Sequence, residues 1–364
     1  MKVALISQGS KSSQMVGDAL KKYFETVDMI DLMEIDVRLG EENGIFYQNK
    51  PFGEYDCVYV KGSFRYAHLL QSITSLLEDK VPYMPLPTEA FTTVHNKLFT
   101  HLALQKHNIP MPKTWLFPSG ELAKRLLKKV RYPIVMKLPE GTQGKGVMFA
   151  DSYNSASSLL DALGALNQPF IVQEYVETEG CDIRVLVVGE RVVGAMRRRA
   201  QKEEKRSNIH AGGVGEKIEL KREMVNLALD TAKALNVDIC GVDILEHPLG
   251  SKVIEANISP GLQGLSKVVS VDLGDEIARF LYEQTVIALA RRKDENAAEL
   301  LLQIEEEKKK KEVPEEGKPV ISKINFRGER ILLPEFVTKV SGFTDRREYV
   351  IVARKGKVEI GEGK

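Results

Sequence analysis

Apolar positions in the first hundred residues switch period repeatedly. Val3 to Ser7 is a continuous apolar run of strand length, and Ser13 to Phe24 carries apolar residues at helical spacing. Asp56 to Val60 is strand-like again, and helical spacing returns from Tyr66 to Leu77. This βαβα rhythm predicts a parallel sheet covered by helices, ending near Thr92. A helix carrying Lys97 follows and stops before Asn108-Ile109-Pro110, because Pro110 and Pro112 cannot continue it. Strands then alternate with short helices to about Val176. A third block opens at Arg184 with the strand pair RVLVVGERVVGAM, in which Gly189-Glu190 suits a tight hairpin turn. A helix at Met224–Leu235, strands at Ile239–Leu245 and Lys252–Ala256, and a final helix at Leu273–Ala290 complete it. From Lys293 the charge-blocked stretch ending EEEKKKKEVPEEGKP predicts a frayed helix running into a linker. The apolar runs ILLPEFV, YVIVAR and KVEI then predict a small β-rich module. The expected organisation is an α/β domain at 1–92, a lid at 93–176, a larger subdomain at 177–292, a charged linker at 293–318 and a C-terminal module at 319–364.

Composition narrows the classes without choosing one. A hydrophobic fraction of 43% and a charged fraction of 28% over 364 residues suit a soluble protein of several domains. A formal net charge of +1 gives no global attraction to nucleic acid or an anionic membrane. The three cysteines, Cys57, Cys181 and Cys240, are odd in number and lack metal spacing, which fits a reducing cytoplasm. The N-terminal apolar run is too short for a signal peptide, and no stretch approaches the roughly 20 apolar residues of a membrane span. No HExxH pattern and no GxSxG elbow is present.

Four segments carry candidate chemistry. In PIVMKLPEGTQGKGV, strand alternation sets Val135 and Lys137 opposite Ile134, Met136 and Leu138. The glycines Gly141, Gly144 and Gly146 that follow allow a backbone nest for phosphate, although a surface hairpin with a solvated lysine reads equally well from this segment alone. PFIVQEYVE ends in Gln173-Glu174-Tyr175, either an ordinary strand end or backbone able to meet a purine edge. In CDIRVLVV, Asp182 and Arg184 share a face, and Arg197, Arg198, Arg199 and Arg206 then crowd one region. Guanidinium forks suit carboxylate or phosphate, while the interspersed acids also allow a solvated loop. The run has no aromatic residue on which a base could stack, so it gives no basis for nucleic-acid binding. Finally, GVDILEH and VIEANISPG place Asp243 opposite Val242 and Ile244, with Glu255 and Asn257 on one face. Adjacent strands would gather these oxygen donors into a site for Mg²⁺ or Mn²⁺.

In this order the segments KLPEGTQGKGV, VQEY, GCDIRVLVVG, RRRAQ, RSNIHAGG, GVDIL and EANISPGLQG resemble the ATP-grasp superfamily, and more closely the RimK-type α-L-glutamate ligases, over Asn96 to Ile287. The resemblance implies an ATP-grasp fold behind an N-terminal Rossmann-like domain. It implies ATP and Mg²⁺, with two ions, as cofactors. Lys97 and Lys137 would touch the ATP phosphates, Glu174 and Tyr175 the adenine, and Asp182 the ribose. Arg206, Ser207 and Asn208 would line the nucleotide and phosphoryl region, and Asp243, Glu255 and Asn257 would bind metal. Arg184 and Arg199 are the candidates for gripping a substrate carboxylate, with Arg206 as a third catalytic arginine. The implied reaction phosphorylates an acceptor carboxylate, which the amino group of L-glutamate then attacks. The acceptor is a protein C-terminus or a coenzyme such as a pterin or deazaflavin, and a homo-oligomer is expected. Arg197 stands where the family carries an acid, and KEEK before Arg206 also departs from its pattern, which leaves the acceptor open. The competing reading is a nucleotide-binding regulator whose ATP-grasp body serves the C-terminal module. That tail faintly resembles AbrB-type swapped hairpins.

Overall fold

In the computed structural model, the first parallel sheet is built on β1 (Lys2–Ser7), whose five buried residues after Lys2 leave no face for solvent. Helix α1 (Lys11–Leu20) follows, capped by Ser10, and then β2 (Thr26–Asp31). A short antiparallel meander, β3 (Ile35–Arg38), β4 (Gly44–Tyr47) and β5 (Lys50–Pro51), precedes β6 (Cys57–Val60). The order is β2-β1-β6, and β1 pairs in parallel with both neighbours. The hydrophobic pattern does not reveal β2, because most of its residues are exposed or half-buried. The structure describes residues 1–40, 44–141, 146–199, 214–311, 325–327, 330–333, 337, 340–344 and 347–362, of which 214, 295–311, 325–327, 330–332 and 362 are described by their backbone alone.

Helices α2 (Ala67–Leu77), α3 (Ala90–His95) and α4 (Lys97–Lys106) lead into the lid. The lid is an antiparallel sheet of β7 (Thr114–Trp115), β8 (Ile134–Lys137), β9 (Val147–Ala150) and β10 (Ile171–Glu174), in the order β7-β10-β8-β9. Helices α5 (Gly120–Leu127) and α6 (Tyr153–Ala165) bury Leu127 and Leu160 against Ile134, Met136 and Val172. This is a core of its own, which leaves Val135 and Lys137 on the opposite face.

The larger subdomain is a five-stranded antiparallel sheet. Its strands are β11 (Cys181–Val188), β12 (Arg191–Arg199), β13 (Val214–Lys217), β14 (Ile239–Leu245) and β15 (Lys252–Asn257), in the order β13-β12-β11-β14-β15. Helix α7 (Arg222–Ala234) and the first part of α8 (Leu273–Lys311) cover it. Its core is continuous with that of the N-terminal sheet: residues 3–109 and 183–281 share one hydrophobic cluster. Cross-links reinforce the junction. Leu262 N donates to Ser12 Oγ at 2.8 Å, Gly62 N to Ser259 Oγ at 2.9 Å, and Tyr83 Oη to Asp238 Oδ2 at 2.5 Å. The N-terminal sheet and the large sheet therefore pack as one body.

Val188 pairs with Arg191 across a two-residue turn, with φ +59° at Gly189 and no positive φ at Glu190, the sign pattern of a type II′ hairpin. A Cβ at Gly189 would lie 2.4 Å from Phe280. Gly189→Ala combines a left-handed alanine with overpacking and is expected to lower stability by about 2–4 kcal/mol. An unchanged urea midpoint would show that the turn adapts.

The chain divides into compact units at Met1–Ala290 and Arg291–Lys364. Helix α8 extends to Lys311, through the stretch expected to begin as a frayed helix at Lys293. No proline intervenes until Pro314. The second unit holds two antiparallel ladders: β16 (Asn325–Arg327) with β17 (Arg330–Leu332), and β18 (Tyr349–Arg354) with β19 (Lys357–Glu362). Among the described residues, no helix is long and apolar enough to cross a membrane.

Candidate active site

Two β-bulges decide which side chains meet. In the hairpin of β11 and β12 the register shifts between Leu186 and Val187, so Asp182 faces Arg198; an unbroken count from the turn would set Arg197 there. Between β14 and β15 a shift beside Asp243 puts Glu255 opposite it instead of Ile254. Extra residues of this kind re-aim the side chains beyond them. One sheet face consequently carries Asp182, Arg184, Arg198, Asp243, Glu255 and Asn257.

At the centre is a buried ionic relay. Arg198, 4% exposed, donates from Nε and Nη2 to both oxygens of Asp182, at 2.6 and 2.7 Å. Its Nη2 also lies 2.8 Å from Asp243 Oδ2. Arg184, directly across from Asp243 in the sheet, donates to both oxygens of that carboxylate through Nε and Nη2. Burial pushes the Asp243 carboxyl up, but Arg184 and Arg198 outweigh it and the net shift is down. Burial likewise works against the Arg198 charge, yet Asp243 and Asp182 hold it firmly protonated. Glu255 differs: its carboxylate has no hydrogen bond or ion pair with any described residue, and it borders two cavities.

The first cavity, about 490 Å³, lies between the N-terminal sheet and the large sheet, and Lys97, Arg184, Asn257 and Lys61 are on its wall. The second, about 140 Å³, lies between the lid and the large sheet, with Val135, Phe149, Leu245 and Ile254 as apolar walls and Glu174, Tyr175 and Asp182 among its polar ones. Arg198, Asp243 and Glu255 line both. Lys137 reaches the second cavity from β8 and is 8% exposed; burial pushes its ammonium down to about 8, against the pull of Glu255. Lys97 Nζ donates to Gly141 O at 2.7 Å, at the base of the glycine loop. Its helix is held by His101, which bonds the Lys97 carbonyl and, through its other nitrogen, Gln173. The Gln173 amide donates to that second nitrogen, so Nδ1 carries the proton.

The structure thus gathers Lys97, Lys137, Glu174, Tyr175, Asp182, Arg184, Asp243, Glu255 and Asn257 around the paired cavities. Arg199 is not among them. It lies on the other face of β12, its side chain 46% exposed and 3.9 Å from Glu216, and Arg198 takes the inward position. The Arg184 fork, expected on a substrate carboxylate, is engaged by Asp243. Glu174, expected at adenine, uses its carboxylate on Lys252 at 2.5 Å; burial raises its pKa, but Lys252 and Lys113 lower it, with a net shift down. Arg206, Ser207, Asn208 and Gly144 lie outside the described residues.

A family model described as the RimK-like ATP-grasp domain matches residues 94–281, the stretch that contains the lid and the large sheet. The chain belongs to the RimK-like ATP-grasp family. It is an ATP-dependent ligase. A relative in Xanthomonas oryzae pv. oryzae, named as a probable alpha-L-glutamate ligase, is 35% identical over 294 residues, 79% of this chain and 98% of that one. The crystal structure of a RimK domain ATP-grasp protein from Sphaerobacter thermophilus superposes with a TM-score of 0.61 at 16% identity, covering 77% of this chain and 99% of the other. The ATP-grasp ligase PsnB, in complex with a minimal precursor, Mg and ADP, superposes with a TM-score of 0.61 at 19% identity over 78% of this chain and 98% of that one. At these identities the superpositions show a shared ATP-grasp fold.

The donors present suit a hard cation held partly by phosphate. Among the described residues no group of three His, Cys, Asp or Glu is arranged to hold a metal by itself. Asp243, Glu255 and the Asn257 amide oxygen, which accepts from Ser259 N at 2.9 Å, form a two-carboxylate set on one face. Mg²⁺ commonly binds through one or two carboxylates, with water and phosphate oxygens completing its shell.

Proposed function

We propose that the chain joins the amino group of L-glutamate to an acceptor carboxylate through an acyl phosphate. The observation that carries this reading is the shared wall: Arg198, Asp243 and Glu255 border both cavities, so groups held in each would meet there. The cleft between lid and sheet, with Val135, Phe149 and Ile254 on its walls, suits a nucleotide base, and the larger cavity, with Lys61, Lys97 and Arg184 on its wall, suits the carboxylate substrates. Lys97 and Lys137 would neutralise phosphate charge, and Asp243, Glu255 and Asn257 would hold Mg²⁺, with two ions proposed; the cation supplies charge neutralisation. Neutralisation and alignment are the means by which such a site lowers the barrier. Attack of the acceptor carboxylate on the γ-phosphorus releases ADP, and attack of the amine on the acyl carbon releases phosphate. No protein nucleophile is required. The acceptor is proposed to be a protein C-terminus or a coenzyme carboxylate; PsnB bound to a precursor gives a structural parallel for the peptide option.

The test is ADP release with ATP, Mg²⁺ and L-glutamate across candidate acceptors, with mass spectrometry of each. A gain of one glutamyl unit that requires both ATP and acceptor is expected. ADP release with no glutamyl product from any acceptor would reject glutamate as the joined amine.

A further inference from the structure

At the carboxyl ends of β1 and β6 is a polar region that the relay does not use. The strand order β2-β1-β6 makes the chain leave β1 toward one side and return on the other, so the crevice between β1 and β6 is a topological switch point. Ligands of open parallel sheets bind in such crevices, outside the carboxyl ends of the strands. Here β1 runs out through Ser7 into the turn before α1, and β6 runs out into Lys61 and Gly62.

Two further observations converge on this crevice. Lys61 is 4% exposed, lines the larger cavity, and its Nζ has no hydrogen-bond partner among the described residues. Its nearest compensation is the Tyr59 ring, 5.2 Å from Nζ to the centroid, a weak substitute for an anion. Burial pushes this ammonium down to about 8. The N-terminus of α1, a ten-residue helix, opens onto the same cavity through Ser10, Ser12 and Ser13. Ser10 Oγ caps Ser13 N at 3.2 Å, while the amides of Lys11 and Ser12 bond no described residue. Open amides and the helix dipole favour an anion there. Lys267 adds another positive charge to the wall; of the two acids on it, Asp243 is already matched by two arginines, and Glu255 belongs to the proposed cation donors.

We propose that Lys61 and the open first turn of α1 form a carboxylate-binding subsite that holds one of the two substrates joined at the relay, an assignment that rests on the ligase reading. The nucleotide would occupy the other cavity, whose lining does not include Lys61. The subsite positions a carboxylate and takes no part in bond making.

Lys61→Met keeps the side-chain length and removes a buried charge, so folding is not put at risk; Lys61→Arg restores the charge. With glutarate as probe, the wild-type melting temperature should rise with concentration. The glutarate Kd should weaken at least about ten-fold in K61M and stay within about three-fold in K61R, as expected for losing one charge-assisted contact. In turnover, K61M should raise KM about ten-fold or more for one carboxylate substrate while the KM for ATP holds. A rise for L-glutamate assigns the subsite to the incoming amino acid, and a rise for the acceptor assigns it to the acceptor. Equal glutarate binding by K61M and wild type, absence of binding by the wild type, or unchanged KM values would overturn the proposal. Wild-type protein that binds glutarate through Lys61 but transfers no glutamyl unit would reject the glutamate reading and keep the subsite.

Discussion

Arg198→Met should destabilise the protein by about 3–5 kcal/mol and abolish detectable ADP release. The reason is the number of charges that depend on one guanidinium. Asp182, 6% exposed, has both oxygens on Arg198, and Asp243 takes a third contact from it. Removing one member of a buried ionic group leaves a desolvated charge behind, and that residual charge, more than the lost attraction, sets the cost. Asp243 would keep Arg184, so the loss should concentrate on Asp182. This gives an internal control. Adding Asp182→Asn to Arg198→Met neutralises the stranded carboxylate and should recover part of the stability, whereas independent sites would give additive losses. Arg198→Lys is not a conservative control, because one ammonium cannot reproduce the fork that spans two carboxylates. Urea denaturation of the single and double variants reads the coupling directly. A double variant less stable than the sum of the singles would show that the relay is not organised around Arg198.

The run Arg197-Arg198-Arg199 offers chemically identical residues, and only strand register chooses among them. The Gly189-Glu190 turn is legible, but counting from it without the bulge at Leu186 and Val187 sets Arg197 opposite Asp182. Arg199, expected at the substrate carboxylate, is on the outer face. By contrast, the placement of Lys137 opposite Ile134 and Met136 follows from strand alternation alone, and the lid core shows that division. Glu255 and Asn257 share a face for the same reason, and it is again a bulge that puts Asp243 beside them. Lys61 follows an apolar strand and reads as an ordinary strand-end lysine. Its burial comes from the packing of the N-terminal sheet on the large one, a tertiary fact with no local signal. The parallel N-terminal sheet was legible through β1 and β6; β2 was not, since its edge position exposes much of it.

The contrast between the two acids of the shared wall gives the other large effect. Glu255→Gln should lower ADP release by about 10²–10³-fold, the scale seen when a preorganised electrostatic group is removed from a site of this kind. Its stability should stay within about 0.5 kcal/mol of wild type, because the Glu255 carboxylate makes no hydrogen bond or ion pair to any described residue. Asp243→Asn should be equally inactive but also less stable, by about 3–5 kcal/mol, since it deprives Arg184 and Arg198 of a buried counter-charge. Its acid dependence should differ too. The Asp243 carboxyl is held below its ordinary range, so in the wild type it contributes stability that is present above the unfolded-state value near 4 and is lost as pH falls through the lowered folded value. Asp243→Asn removes that contribution, and the stability gap between it and the wild type should therefore narrow in strong acid. Denaturation midpoints from neutral to acid pH, alongside single-turnover ADP release, separate the two roles. Retention of activity within about three-fold in Glu255→Gln, or a stability loss matching that of Asp243→Asn, would place Glu255 among the structural charges and remove it from the proposed cation donors.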